Sequence, residues 1–115
     1  MQYVLLIYQG SGWGRIGSLS GEEKEEIGAQ YAAVLDVRGV TPGPPLGVPQ
    51  DATTVRVENG TRRVTDGPYV DAAGAIGGSL LLEANNIEDA VEIAARIPAA
   101  RLGGGVEIRP VGAYW

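Results

Sequence analysis

The sequence predicts an α+β fold, a ferredoxin-like sandwich with two helices on one face of a mostly antiparallel sheet. Three observations point there. Asn59-Gly60, the preferred pair for a type I′ turn, separates two strand-like runs and so marks a hairpin. Two amphipathic segments begin at the helix-capping residues Ser20 and Asn86. Strand-like runs open and close the chain, giving the order strand, helix, hairpin, strand, helix, strand. With 115 residues, 44% of them hydrophobic, the chain is sized for one domain around one core.

Tyr3 to Tyr8 is a continuous aliphatic and aromatic run, too short for a helix. It reads as a strand buried on both faces. The loop from Gln9 to Ser18 approaches two phosphate-binding patterns and completes neither. Gly10-Ser11-Gly12 needs a glycine where Arg15 stands, and Gly12 with Gly17 needs a lysine where Ser18 stands. Ser20-Gly21-Glu22-Glu23 is a capping box, and the glutamates that follow suit the positive end of a helix dipole. Ile27, Tyr31, Val34 and Leu35 give that helix an apolar face, and Gly39 stops it. Between Thr41 and Asp51, Pro42, Pro44, Pro45 and Pro49 exclude helix and central strand. They leave a stiff connection with room for a short edge strand around Leu46.

The turn at Asn59-Gly60 fixes the register of Thr53 to Glu58 against Thr61 to Asp66. Glu58 faces Thr61, Arg56 faces Arg63, Val55 faces Val64 and Thr53 faces Asp66. Alternation puts Val55, Val57, Val64 and Asp66 on one side of the ribbon. If that side meets the core, Asp66 points inward. The facing arginines must be solvated or share an anion, since like charges directly opposite are destabilising. Val70 to Gly78 is small and alanine-rich and reads as a short helical turn. A strand follows from Gly78 or Ser79 to Ala84. Asn86 caps the second helix, whose apolar stripe is Ile87, Ala90, Val91, Ala94 and Ile97, and Pro98 ends it. Gly103-Gly104-Gly105 reads as a hinge. Val106 to Val111 is the last strand, placed at an edge by Pro110.

Composition narrows the chemistry. A net charge of −5 gives nucleic-acid binding no electrostatic support. No apolar run reaches the length of a membrane span, and the start lacks a signal-peptide pattern. Cysteine is absent, which makes a cytoplasmic location the expectation. Histidine is absent too, which removes imidazole acid–base chemistry, Ser-His-Asp triads and His/Cys zinc sites. The expectation is chemistry with neither metal nor cofactor.

Several segments carry a family resemblance. Tyr3-Val4-Leu5-Leu6-Ile7-Tyr8 looks like a first strand. Ala52 to Val57 and then Val64-Thr65-Asp66-Gly67-Pro68-Tyr69 look like a hairpin and signature. Gly77-Gly78, Ala94-Ala95-Arg96-Ile97-Pro98 and Val106 to Val111 follow in order. Together they resemble the YCII-related proteins of the DGPF type over nearly the whole chain, as a single domain spanning 1–115. The resemblance implies a small bacterial protein, a homodimeric α+β barrel, and a cleft between sheet and helices. Some relatives are encoded beside, or fused to, sigma factors. Better-studied barrels of the superfamily include isomerases, dehydrochlorinases and cofactor-free oxygenases. This chain departs from its relatives at three points. Tyr69 stands where phenylalanine is usual. Val70 to Ile76 replaces a polar, lysine-containing segment and makes the site more apolar. The relatives' proposed histidine has no counterpart.

The expected site centres on Asp66, Tyr69 and Tyr8. A carboxylate held in an apolar cleft becomes a usable acid or base near neutrality. The two phenols can donate to an oxyanion or enolate. Trp13 and Arg15 would form a lid, and Pro68, Ile76 and Tyr31 would line the space for a small hydrophobic or aromatic substrate. The chemistry expected is isomerisation, elimination, dehydration or cyclisation in a biosynthetic setting. Two alternatives stand beside it: a ligand-binding or regulatory module linked to transcription control, and a cofactor-free monooxygenase. Asp66 also has a plainer reading, a turn residue that accepts backbone N–H bonds.

Overall fold

The computed structural model describes residues 1–12, 16–71 and 74–112. Its elements, in order, are β1 (Gln2–Tyr8), α1 (Gly21–Leu35), β2 (Val40–Pro42), β3 (Thr53–Glu58), β4 (Thr61–Asp66), β5 (Ile76–Glu83), α2 (Ile87–Ala95) and β6 (Gly105–Pro110). Short 3-10 turns occupy Ile16–Ser18, Pro49–Asp51 and Pro98–Ala100. Four strands form one antiparallel sheet in the order β2-β5-β1-β6. This is the ferredoxin-like strand order, with the β3-β4 hairpin inserted between the second and third sheet strands. The fold is α+β, as expected.

The helices start where their caps require. The Glu23 N–H donates to the Ser20 hydroxyl at 3.1 Å, and the Ser20 N–H donates back to the Glu23 carboxylate at 3.4 Å. At the second helix the Asp89 N–H donates to the Asn86 side-chain oxygen at 2.9 Å. Only part of each apolar stripe reaches the core. Val34, Ala90, Ala94 and Ile97 are buried, whereas Leu35, Ile87 and Val91 stay exposed. The core lies between the helices and one face of the sheet, with Leu5, Leu82, Ile97 and Val34 as its largest enclosed side chains beside Pro98.

β1 is buried on one face, not two. Tyr3, Leu5 and Ile7 point into the core, and Val4, Leu6 and Tyr8 are half-buried on the other side. The same alternation turns Glu107 and Arg109 of β6 outward, where they pair at 2.6 Å, and turns Val106 and Ile108 inward. Glu83 meets the N-terminal ammonium at 3.0 Å.

Two boundaries differ from expectation. The edge strand is Val40–Pro42, not a segment at Leu46. The proline-rich connection still follows the β5 edge: Gly43 N–H donates to the Ser79 carbonyl at 2.9 Å, and Leu46 N–H to the Gly77 carbonyl at 3.3 Å. β5 begins at Ile76, because small residues before Ser79 can still join a ladder. The hairpin forms a two-stranded sheet of its own. Its register is the expected one, and Asn59 and Gly60 both take positive φ, 49° and 76°. The radius of gyration is 15.9 Å. A compact chain of this length measures roughly 13 Å, so ribbon and sheet leave surface that one chain does not cover.

Glycines let the loop after β1 meet the loop before β6. A Cβ on Gly104 would lie 1.9 Å from the Tyr8 carbonyl oxygen, and one on Gly10 would lie 2.2 Å from that of Gly103. Gly28, inside α1, has open space. Gly104→Ala is expected to destabilise the fold by about 3 kcal/mol. Gly28→Ala is expected to stabilise it by about 1 kcal/mol. Urea denaturation of the two variants checks both.

Candidate functional site

A cleft of about 630 Å³ opens where β1 and β5 end. Its position follows from a β-bulge. Ile7 pairs with Gly78 but Tyr8 pairs with Ile76, so β5 carries one extra residue there. A bulge bends its strand and re-aims the side chains around it. Tyr8 and Ile76, partners across the bulge, both line the cleft. The proline-rich connection supplies another wall through Leu46, Val48 and Pro49. The hairpin and the segment after it supply the rest through Thr54, Pro68 and Tyr69.

The Asp66-Gly67-Pro68 turn builds this wall with its backbone. Gly67 sits at φ 105°, a left-handed conformation that disfavours any side chain. Its N–H donates to the Ala52 carbonyl at 2.7 Å, and its own carbonyl accepts the Thr54 hydroxyl at 2.7 Å. Those two bonds lock the end of β4 against the start of β3 and deliver Pro68 and Tyr69 to the cleft.

Asp66 does not enter the cleft. It is exposed, as is all of β4. Its register partner is Thr53, so it shares a ribbon face with Val55, Val57 and Val64, whereas Thr54 belongs to the opposite face. The expectation of an inward Asp66 assumed that the valines meet the core. They are 57%, 69% and 60% exposed, because the ribbon stands apart from the main sheet. Among the described residues the Asp66 carboxylate has no hydrogen-bond or ion-pair partner, so the turn-residue reading finds no such bond either.

The carboxylate that lines the cleft is Asp51, which the sequence reading passed over. It ends the 3-10 turn Pro49–Asp51, just before β3. No local feature of Pro49-Gln50-Asp51 marks it in the sequence. Beyond Asp51, side-chain polarity in the lining comes from Tyr8, Tyr69 and Thr54.

Four of the expected site residues, Tyr8, Pro68, Tyr69 and Ile76, therefore come together. Tyr31 does not join them. It borders a second cavity of about 530 Å³ on the helix side, with Ile27, Leu19 and Leu102, and the Gln9 amide donates to its hydroxyl at 3.5 Å. Trp13, Arg15 and the C-terminal aromatics Tyr114 and Trp115 lie outside the described residues.

On the hairpin face away from the valines, Arg56 and Arg63 are directly opposite. They share one anion: Arg56 reaches a Glu58 oxygen at 3.4 Å, and Arg63 reaches the other at 3.2 Å. The Arg56 guanidinium also sits over the Tyr69 ring, 5.9 Å from its centre.

The sequence matches the family model of the YCII-related domain over residues 1–113. The chain belongs to the YCII-related family. No curated protein matches it significantly. In this YCII-related protein the glycine and proline of the Asp66-Gly67-Pro68 turn build the cleft wall. No helix among the described residues is long and apolar enough to cross a membrane.

Two substitutions test these assignments. Thr54→Val removes the hydroxyl bond to Gly67 and is expected to cost about 1 kcal/mol of stability. Asp66→Asn, at an exposed position, is expected to change stability by less than about 0.5 kcal/mol. Chemical denaturation of the purified variants reads both.

Proposed function

We propose that this protein binds a small hydrophobic metabolite in the cleft beside Tyr8 and Tyr69 and performs acid–base chemistry on it without a cofactor. The observation that supports this reading is the cleft itself. Its volume of about 630 Å³ suits a small molecule, and its walls are apolar apart from two phenols, one hydroxyl and one carboxylate. In this reading Asp51 accepts a proton from the ligand and the tyrosine hydroxyls stabilise the oxygen that gains charge. Isomerisation, elimination, dehydration and cyclisation all fit that set of groups. Asp66 would reach a ligand only across a boundary between chains, with a second copy laid on the valine face of the ribbon.

A homodimer belongs to the same proposal. The outer sheet face carries Val4, Leu6 and Leu81 half-buried, and the ribbon exposes three valines. A second sheet packed on the first would remove both from water.

A second reading, a binding or regulatory module without turnover, is favoured by one observation. Among the described residues no Asp, Glu, Lys or Arg side chain is buried, so no charged acid or base is pre-enclosed.

Ligand-detected NMR with neutral naphthol as probe tests the cleft. Binding to the native protein and its loss in Ile76→Trp, which fills the space, is the expected result. Retained binding in Ile76→Trp rejects the cleft as the site. Once a substrate is found, Tyr8→Phe should lower turnover about a hundredfold with little change in binding. Unchanged turnover removes Tyr8 from the chemistry.

A further inference from the structure

We propose that the ligand of this cleft carries a carboxylate, and that Arg56 receives it. This rests on the reading of the cleft as a small-molecule site and names the class of molecule it takes.

Position comes first. Thr54 lines the cleft, and Arg56 lies two residues further along the same face of β3, about 7 Å on. The second anchor is independent of the strand. The Arg56 guanidinium lies 5.9 Å from the centre of the Tyr69 ring, and Tyr69 lines the cleft from the segment after β4. Two separate elements thus bring this cation to the rim.

Charge comes second. The ribbon face that holds Arg56 consists of Thr54, Arg56 and Glu58 opposite Thr65, Arg63 and Thr61. Two guanidinium groups meet one carboxylate there, so one positive charge is left unbalanced on this face. That is a local reversal in a chain whose net charge is −5. Facing arginines across a strand pair repel, and Glu58 offsets only part of the repulsion. A second anion would offset the rest.

Donor capacity comes third. Arg56 meets Glu58 through a single terminal nitrogen, Nη2. A guanidinium has five N–H donors in a planar fork, so donors remain for a bidentate carboxylate. The contact with the Tyr69 ring is made by the face of the guanidinium and uses none of these in-plane donors. Asp51 on the cleft wall repels an anion and accepts a cation or a proton. A ligand with an apolar body and an acidic head is therefore oriented, head toward Arg56 and body over Ile76 and Pro68.

The test compares naphthoate with its methyl ester, the same ring system with and without the charge, by NMR titration at low ionic strength. The expected result is about tenfold tighter binding of the acid, and a preference that shrinks as salt is added. Arg56→Gln should reduce the acid to the level of the ester and leave the ester unchanged. Arg56→Lys should recover part of the preference, because it restores the charge without the fork. Arg62→Gln makes the same charge change on the valine face and should leave the preference intact. Equal binding of acid and ester by the native protein overturns the proposal. So does an Arg56→Gln variant that weakens both probes alike, or an Arg62→Gln variant that acts as Arg56→Gln does. Ile76→Trp separates the two levels. If it displaces the ester while the acid shows no preference, the charge assignment fails and the cleft stands. If it displaces neither probe, the cleft fails and this inference with it.

Discussion

The central strand β1 is paired along both edges, with β5 on one side and β6 on the other. That double pairing fixes which way each of its side chains points. Tyr3, Leu5 and Ile7 go to the core beneath the helices, and Val4, Leu6 and Tyr8 go to the opposite face. A strand held on one edge could slip by a residue and exchange the two sets; one held on both cannot without breaking two ladders. Tyr8 stands at the cleft because of this parity and because the bulge in β5 occurs beside it. The core and the cleft are thus opposite consequences of one alternation.

The glycine contacts at the far end of the same strand serve that arrangement. The chain after Tyr8 must turn at once, passing against Gly103 and Gly104 with no room for side chains. Backbone packed on backbone holds the end of β1 still. Tyr8 therefore projects from a strand end packed backbone on backbone and not from a free loop.

Much of the fold was legible in the residues themselves. Asn59-Gly60 demands a specific turn, and the turn determines the pairing of every hairpin residue. Ser20 and Asn86 each have a side-chain oxygen placed to take a backbone N–H, and both helices start there. Such features are local: a few neighbouring residues decide them. The orientation of Asp66 is not local. Its parity with the valines was readable, but which side of the ribbon meets protein depends on where the ribbon docks. Valines usually mark an inner face, and here they mark an exposed one. Asp51 was missed for the complementary reason. Nothing in Pro49-Gln50-Asp51 distinguishes it from an ordinary polar turn until the connection wraps back past Tyr8. The family relationship was visible because it depends on the order of short segments along the chain, which needs no knowledge of packing.

The detached ribbon has a thermodynamic consequence. Two strands alone are barely stable in water, and this pair keeps one face bare. Its amides should therefore open far more often than those of the main sheet, well below the cost of global unfolding. Yet Thr54, Pro68 and Tyr69 tie the ribbon's open end to the cleft. A ligand that filled the cleft against Thr54, Pro68 and Tyr69 would contact the closed ribbon, and that contact would add to the ribbon's closing free energy. Occupancy would then be converted into order at the Asn59-Gly60 tip, away from the cleft lining.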